Sequence, residues 1–295
     1  MEKSNYRQVR WILWIILFAN FGVAAIKIVV GALIKSSSLT ADGYHSLTDG
    51  SSNIVGLIGI YLASRPEDAD HPYGHRKMET LTGIFIAVML TFIGGKVVLD
   101  AFGRFADPVV PEISIESLVA LLFTLGINIF VSQYELKSGR RLGSYILISD
   151  SMHTRSDIFV SIGVLVSLVG IKLGLPPVVD PIVSLVVAGF ILFAAYEILK
   201  SASNVLVDKA VVETDRIRAI VETFEQVKGI HEIRSRGTGD SLFIDMHILT
   251  DPGMSVKESH ELIHHIEKHI QEQIAKGASV IVHLEPFGDD NDPDV

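Results

Sequence analysis

Two pairs of residues share one pattern: His45 with Asp49, and His153 with Asp157, both spaced H-x-x-x-D. On a helix, positions four apart lie on one face, with Cβ atoms about 5–6 Å apart. Two such helices facing each other would bring together two imidazoles and two carboxylates. That nitrogen and oxygen set has the number and geometry that Zn²⁺ favours. The plain alternative, polar residues hydrogen-bonded between helices, suffices for one His or Asp but not for four at matched spacing. A charged side chain at the centre of a bilayer costs roughly 2.5–3.5 kcal/mol on insertion scales, so two aspartates there imply a compensating cation. Ligands must be deprotonated to hold metal, so metal and protons compete. Imidazoles change charge near neutral pH, which predicts metal/proton exchange at this site. The chain has no cysteine, which excludes disulfides and thiolate ligands; donors must come from the 11 histidines and the carboxylates.

The elements that must position these residues are hydrophobic. Apolar residues make up 48% of the 295 and concentrate before residue 208. Six stretches approach the roughly 20 apolar residues a spanning helix needs: Trp11–Ile34, Thr40–Ala63, Leu81–Ala101, Ile115–Leu136, Ser144–Leu173 and Val178–Lys200. The second and fifth carry the H-x-x-x-D pairs. Asn20, Asn53 and Asn128 fit interhelical hydrogen bonds better than ligation. Arg155 lies off the ligand face and is expected to pair with Asp42 or Asp150. The basic residues Lys3, Arg7, Arg10, Arg65, Arg76, Lys77, Lys137, Arg140, Arg141, Lys200 and Lys209 fall on one side of this layout. Only Lys35, Arg104 and Lys172 fall on the other. The positive-inside rule then puts both termini in the cytoplasm, with a plasma (inner) membrane as the expected location.

Charge divides the chain at the same place. Residues 1–207 hold 16 basic and 16 acidic side chains, whereas residues 208–295 hold 9 and 18, which accounts for the whole net charge of −9. So acidic a soluble part argues against nucleic acid as a partner. Its pattern reads α-β-β-α-β: a helix over Glu213–Gln226, strands over Ile230–Arg236 and Ser241–Thr250, a helix from Ser255 to Ala275 and a strand over Ser279–Glu285. Ser255 with Glu258 forms a capping-box signature. His283 and Glu285 alternate onto one face of the last strand, and His247 can lie on a neighbouring strand. Three segments follow: a six-helix transmembrane domain over 1–207, a small ferredoxin-like α+β domain over 208–287, and an acidic tail over 288–295.

The combination resembles the cation diffusion facilitator family. It comprises six spans, H-x-x-x-D in spans two and five, the loop Asp68-Ala69-Asp70-His71-Pro72-Tyr73-Gly74-His75-Arg76-Lys77-Met78-Glu79, and a histidine-bearing α-β-β-α-β domain. The resemblance covers nearly the whole chain and implies a homodimer with one transport site per protomer. It puts that site at His45, Asp49, His153 and Asp157, and a loop site at Asp70, His71 and His75, with Asp68 as an additional candidate. It puts a cytoplasmic metal site at His231, His247, His260, His283 and Glu285, where the family pattern carries Asp in the last position. Lys77 and Asp208 match a charged interlock at the junction of the two domains, and Met152 matches an apolar gate. His45 matches the zinc-preferring pattern; Asp or Asn there goes with manganese or broader selectivity. The implied activity is proton-coupled efflux of a divalent cation, Zn²⁺ first and Fe²⁺, Mn²⁺, Cd²⁺ or Co²⁺ as alternatives. Zn²⁺ is also the implied regulatory ligand.

Two rival classes remain. His260-Glu261-Leu262-Ile263-His264 fits H-E-x-x-H, a zinc-protease signature. A membrane-anchored protease would leave the four intramembrane ligands unexplained. A metal sensor that does not transport would share the cytoplasmic ligands but needs no site in mid-membrane.

Overall fold

A computed structural model describes residues 3–33, 47, 50–106, 115–176, 178–238 and 241–288. The chain divides into a helical unit, Glu2–Ala202, and a C-terminal unit from Ser203 onward.

The helical unit is built from α1 (Lys3–Leu33), α2 (Ser51–Ala63), α3 (Lys77–Ala106), α4 (Ile115–Leu142), α5 (Tyr145–Lys172) and α6 (Val179–Leu206). Among the described residues, four helices are long and apolar enough to cross a membrane: α1, α3, α5 and α6. The expected six spans are therefore met only in part. The described part of the second expected span is α2, 13 residues long. The helix α4 has the length, at 28 residues, but its last third is polar, with Gln133, Glu135, Lys137, Ser138, Arg140 and Arg141.

Apolar side chains of α3 (Ile86, Leu90) and α6 (Val187, Ile191, Ile198) form one core. Small residues let helices approach closely elsewhere. A Cβ on Gly59 of α2 would collide with Thr82 of α3, and one on Gly83 with the ring of Tyr145 on α5. Polar side chains join helices as well. Asn20 of α1 donates to Asn53 Oδ1 of α2 at 2.9 Å, and Arg104 of α3 pairs with Asp180 of α6 at 2.6 Å.

Glu79, in the first turn of α3, caps the start of α5. It accepts from Ser144 Oγ at 2.5 Å and from the backbone N–H of Ile146 at 3.2 Å, and it is buried. A carboxylate suits the positive end of a helix. Glu79→Ala removes that acceptor and leaves buried donors unmet. We expect a loss of about 2 kcal/mol, read as a lower thermal midpoint of the purified protein, with Glu79→Gln losing less.

The C-terminal unit holds α7 (Thr214–Val221), β1 (Gly229–Thr238), β2 (Ser241–Thr250), α8 (Val256–Gln273) and β3 (Ser279–Pro286). The sheet order is β1-β2-β3, with β1 antiparallel and β3 parallel to the central β2. Strand period decides which side chains face inward. Ile244, Met246 and Ile248 of β2 are buried against Leu262, Ile266 and Ile270 of α8 and Ile217 of α7. The alternate positions, including His247, fall on the sheet face opposite the helices. Ser255 caps α8 through the expected box with Glu258.

Candidate metal centres

In the helical unit, His153 and Asp157 lie on one face of α5, four residues apart. His153 is 3% exposed, and among the described residues neither of its ring nitrogens has a hydrogen-bond partner. Both residues line a cavity of about 40 Å³ with Asn20, Val23, Ser52, Thr124, Ile127, Asn128 and Thr154. That volume suits an ion or a water, not an organic substrate. His45 and Asp49, the other half of the expected cage, lie outside the described residues, as does Asp42.

Met152, expected to gate this site, does not line the cavity. It packs beside the α3–α6 core, because one residue along a helix turns the side chain by about 100°. Arg155 is exposed, with Nη1 at 3.9 Å from the sulfur of Met152. Asp150 takes a hydrogen bond from Asn53 instead of the expected partner Arg155. The sequence reading missed Glu135, which is fully buried on α4. A carboxylate at the end of an apolar stretch was the available signal.

The second cluster lies in the loop between α2 and α3. Asp68 Oδ1 is 3.0 Å from His71 Nδ1, and Asp68 Oδ2 is 3.5 Å from His75 Nε2. His75 Nδ1 is 3.1 Å from the carbonyl of Pro66, an arrangement that fixes the ring and turns Nε2 toward Asp68. The hydrogen bond with the His71 side chain holds the Asp68 carboxyl below its ordinary range. The trio is Asp68, His71 and His75, without Asp70. The Asp68 carboxylate is drawn inward because it accepts the backbone N–H groups of Asp70 (3.1 Å) and His71 (2.7 Å). Asp70 contributes its backbone to that turn, and the residue is exposed.

The third cluster lies on the sheet face opposite α7 and α8. Register places His231 opposite His247, and His247 opposite His283, so three histidines form a row across the strands. Glu285, two residues after His283, points to the same face. Its Oε2 is 2.8 Å from His231 Nε2 and its Oε1 2.8 Å from His247 Nδ1. His283 Nε2 stands at 3.6 Å from Oε1. A bulge after His231, with Glu232 at φ 47°, brings the Glu232 carboxylate to 3.7 Å from His247 Nε2. Partial burial pushes the Glu285 carboxyl up, but hydrogen bonds from His231 and His247 outweigh it and leave it below the ordinary range. The donor atoms of His231, His247 and Glu285 lie within 4.8 Å of one another. A tetrahedral ion with bonds near 2.0–2.1 Å sets its donors roughly 3.4 Å apart, so a small outward shift of these side chains would admit one.

His260 does not join this row. It is exposed on α8, which covers the other face of the sheet, and its Nε2 meets His264 Nε2 at 3.1 Å. Glu261, the base a protease would need, is exposed and 4.0 Å from Lys257. Of the expected interlock, Lys77 opens α3 in the helical unit. Asp208 stands in the C-terminal unit at φ 53°, with its carboxylate 3.8 Å from Arg236.

Comparison with known proteins accounts for both units. The family model of the cation efflux transmembrane domain matches residues 13–207, and that of the cation efflux protein cytoplasmic domain matches residues 211–287. An uncharacterized transporter of Methanocaldococcus jannaschii is 31% identical, over 87% of this chain and 91% of its own. The manganese efflux system protein MneP of Bacillus subtilis is 28% identical, over 97% of this chain and 99% of its own. The solved metal-bound C-terminal domain of the CzcD transporter from Thermotoga maritima is 38% identical over 25% of this chain and 87% of that one, with a TM-score of 0.24. The protease reading falls with these matches, since both family models are those of a transporter and not of an enzyme. The chain belongs to the cation diffusion facilitator family: it is a multi-pass integral membrane protein for efflux of divalent metal cations, and it ends in the family's dimerisation domain.

Proposed function

We propose that this protein exports Zn²⁺ from the cytoplasm in exchange for protons, by alternating access at His45, Asp49, His153 and Asp157. The observation that supports it is the α5 face. A buried imidazole whose nitrogens have no hydrogen-bond partner among the described residues stands beside Asp157 in a small polar cavity. Two nitrogen and two oxygen donors suit zinc, and the same ligands are the groups that protons can displace.

Manganese is the second reading. MneP and MneS of Bacillus subtilis, 28% identical to this chain, are both named manganese efflux system proteins. Uptake into proteoliposomes separates the two. The native protein should carry Zn²⁺ at least about tenfold faster than Mn²⁺, and His45→Asp should narrow or reverse that ratio, because a harder oxygen donor replaces nitrogen. Native transport of Mn²⁺ with no Zn²⁺ flux would remove the zinc reading. Flux that ignores an imposed pH gradient would remove the proton coupling.

The rest of the reading follows from the same chemistry. Asp68, His71 and His75 in the loop, and His231, His247, His283 and Glu285 in the sheet row, bind metal from the cytoplasm. Ligation at the row favours one arrangement of a homodimer, provided the metal binds that arrangement more tightly. Residues 1–207 carry transport, 208–287 carry dimerisation and sensing, and 288–295 form an acidic tail. Both termini face the cytoplasm across the plasma (inner) membrane.

A further inference from the structure

Glu135 of α4 and Asp150 of α5 are both fully buried within the helical unit. Their carboxyl groups lie within hydrogen-bond reach of each other. Each carboxyl group has a donor, and Ser52 is a further side-chain partner of Asp150. Asn53 Nδ2 donates to Asp150 Oδ2 at 2.5 Å, and Thr154 Oγ1 donates to Glu135 Oε2 at 3.1 Å. Among the described residues, the other two oxygens, Glu135 Oε1 and Asp150 Oδ1, have no hydrogen-bond donor. Ionised carboxylates only accept, so two of them cannot bond to one another. In a dry interior two ionised carboxylates repel, and that cost is offset only when the pair shares a proton or a cation stands between them.

A second observation points the same way. His153 lies one helical turn beyond Asp150, is 3% exposed, and among the described residues has no hydrogen-bond partner at either ring nitrogen. The carboxylate pair also connects to the cavity that His153 and Asp157 line. Thr154, which holds Glu135, borders that cavity. So does Asn20, which donates to the Asn53 that holds Asp150.

We propose that Glu135 and Asp150 form a second intramembrane cation site, which holds the divalent metal on its passage to or from His153 and Asp157. This rests on reading the latter pair as part of the transport site. Two carboxylates match the charge of a divalent ion. Their oxygens are hard donors, which suit Mn²⁺ at least as well as Zn²⁺. The imidazole of His153, one turn away, can take the ion over without returning it to water.

The test counts Mn²⁺ bound to the full-length protein in lipid nanodiscs by electron paramagnetic resonance. The background is Asp157→Ala with Asp68→Ala and Glu285→Ala, which removes a ligand from each of the other candidate centres. One equivalent per chain should remain there. Glu135→Gln and, separately, Asp150→Asn should each weaken it at least about 100-fold. Both substitutions keep an acceptor for the existing donor, and monodisperse elution verifies the fold. No remaining equivalent in the background, or one that survives both substitutions, overturns the proposal. Unchanged Mn²⁺ binding with an altered pH profile of transport also overturns it, and assigns the pair to the proton. The count needs no transport, so it is independent of whether Asp157→Ala alone stops flux, which tests the transport-site reading.

Discussion

Asp157→Ala is expected to stop metal export. Initial rates in proteoliposomes should fall by two to three powers of ten, because removing one partner of a buried charged set costs about 3–5 kcal/mol. The residue shares the α5 face with His153 and lines the same cavity, whereas the helix contacts at Glu79, Gly83 and Tyr145 lie nearer the start of α5 and remain in place. The protein should therefore keep its elution volume and thermal midpoint while losing flux. Asp157→Asn, which keeps shape and removes charge, should be nearly as inactive. A variant that folds and still transports at the native rate would sink the transport-site reading. A sensor that does not transport would show no flux in the native protein either.

The second large effect is expected at Glu285. Its two oxygens reach His231 and His247 at 2.8 Å each, so it supplies the negative charge of the row and sets the orientation of two imidazoles. Glu285→Ala should weaken Zn²⁺ binding at the C-terminal unit by about 100-fold, the effect of losing both a ligand and its ordering contacts. Calorimetric titration of the full-length protein carrying Asp157→Ala should show one class of sites disappear. His247→Ala should do the same. His260→Ala should not alter this class within one chain, since α8 covers the opposite face of the sheet. An equal loss for His260→Ala, or none for Glu285→Ala, would count against the assignment.

The long helices were legible as apolar runs, and the C-terminal helices and all three strands because their signals are periodic. The stretch Ser241–Thr250 alternates apolar and polar residues, and that alternation alone puts Ile244 inside and His247 outside. The capping box at Ser255 and Glu258 marked the start of α8 in the same local way. The spans were harder to read where polarity belongs to packing. The polar end of α4 weakens its claim as a span, yet Glu135 there is fully buried. Sequence spacing gave no hint that it faces Asp150, since that contact depends on how α4 and α5 rotate against each other.

The metal ligands show the same division. His71 meets His75 in the loop, and His231 and His247 meet Glu285 on the sheet, as two separate clusters. Asp68 stands in the loop trio in place of Asp70, a choice made by backbone N–H groups that no side-chain pattern records. His260 was grouped with the sheet histidines by resemblance, but within one chain it belongs to the helix side, beside His264. Met152 is a neighbour of His153 along the chain and faces another core.

The bare backbone at Gly59 constrains motion. Thr82 fills the space where a side chain would stand, so α2 can neither slip lengthwise nor roll against α3 without a collision. Gly83 and the cap at Glu79 tie α3 to the start of α5 in turn. At these crossings the three helices meet with no side chain on the glycine to act as a spacer. A bulkier residue at position 59 would push α2 away from α3 and so disturb the helix packing without touching any ligand.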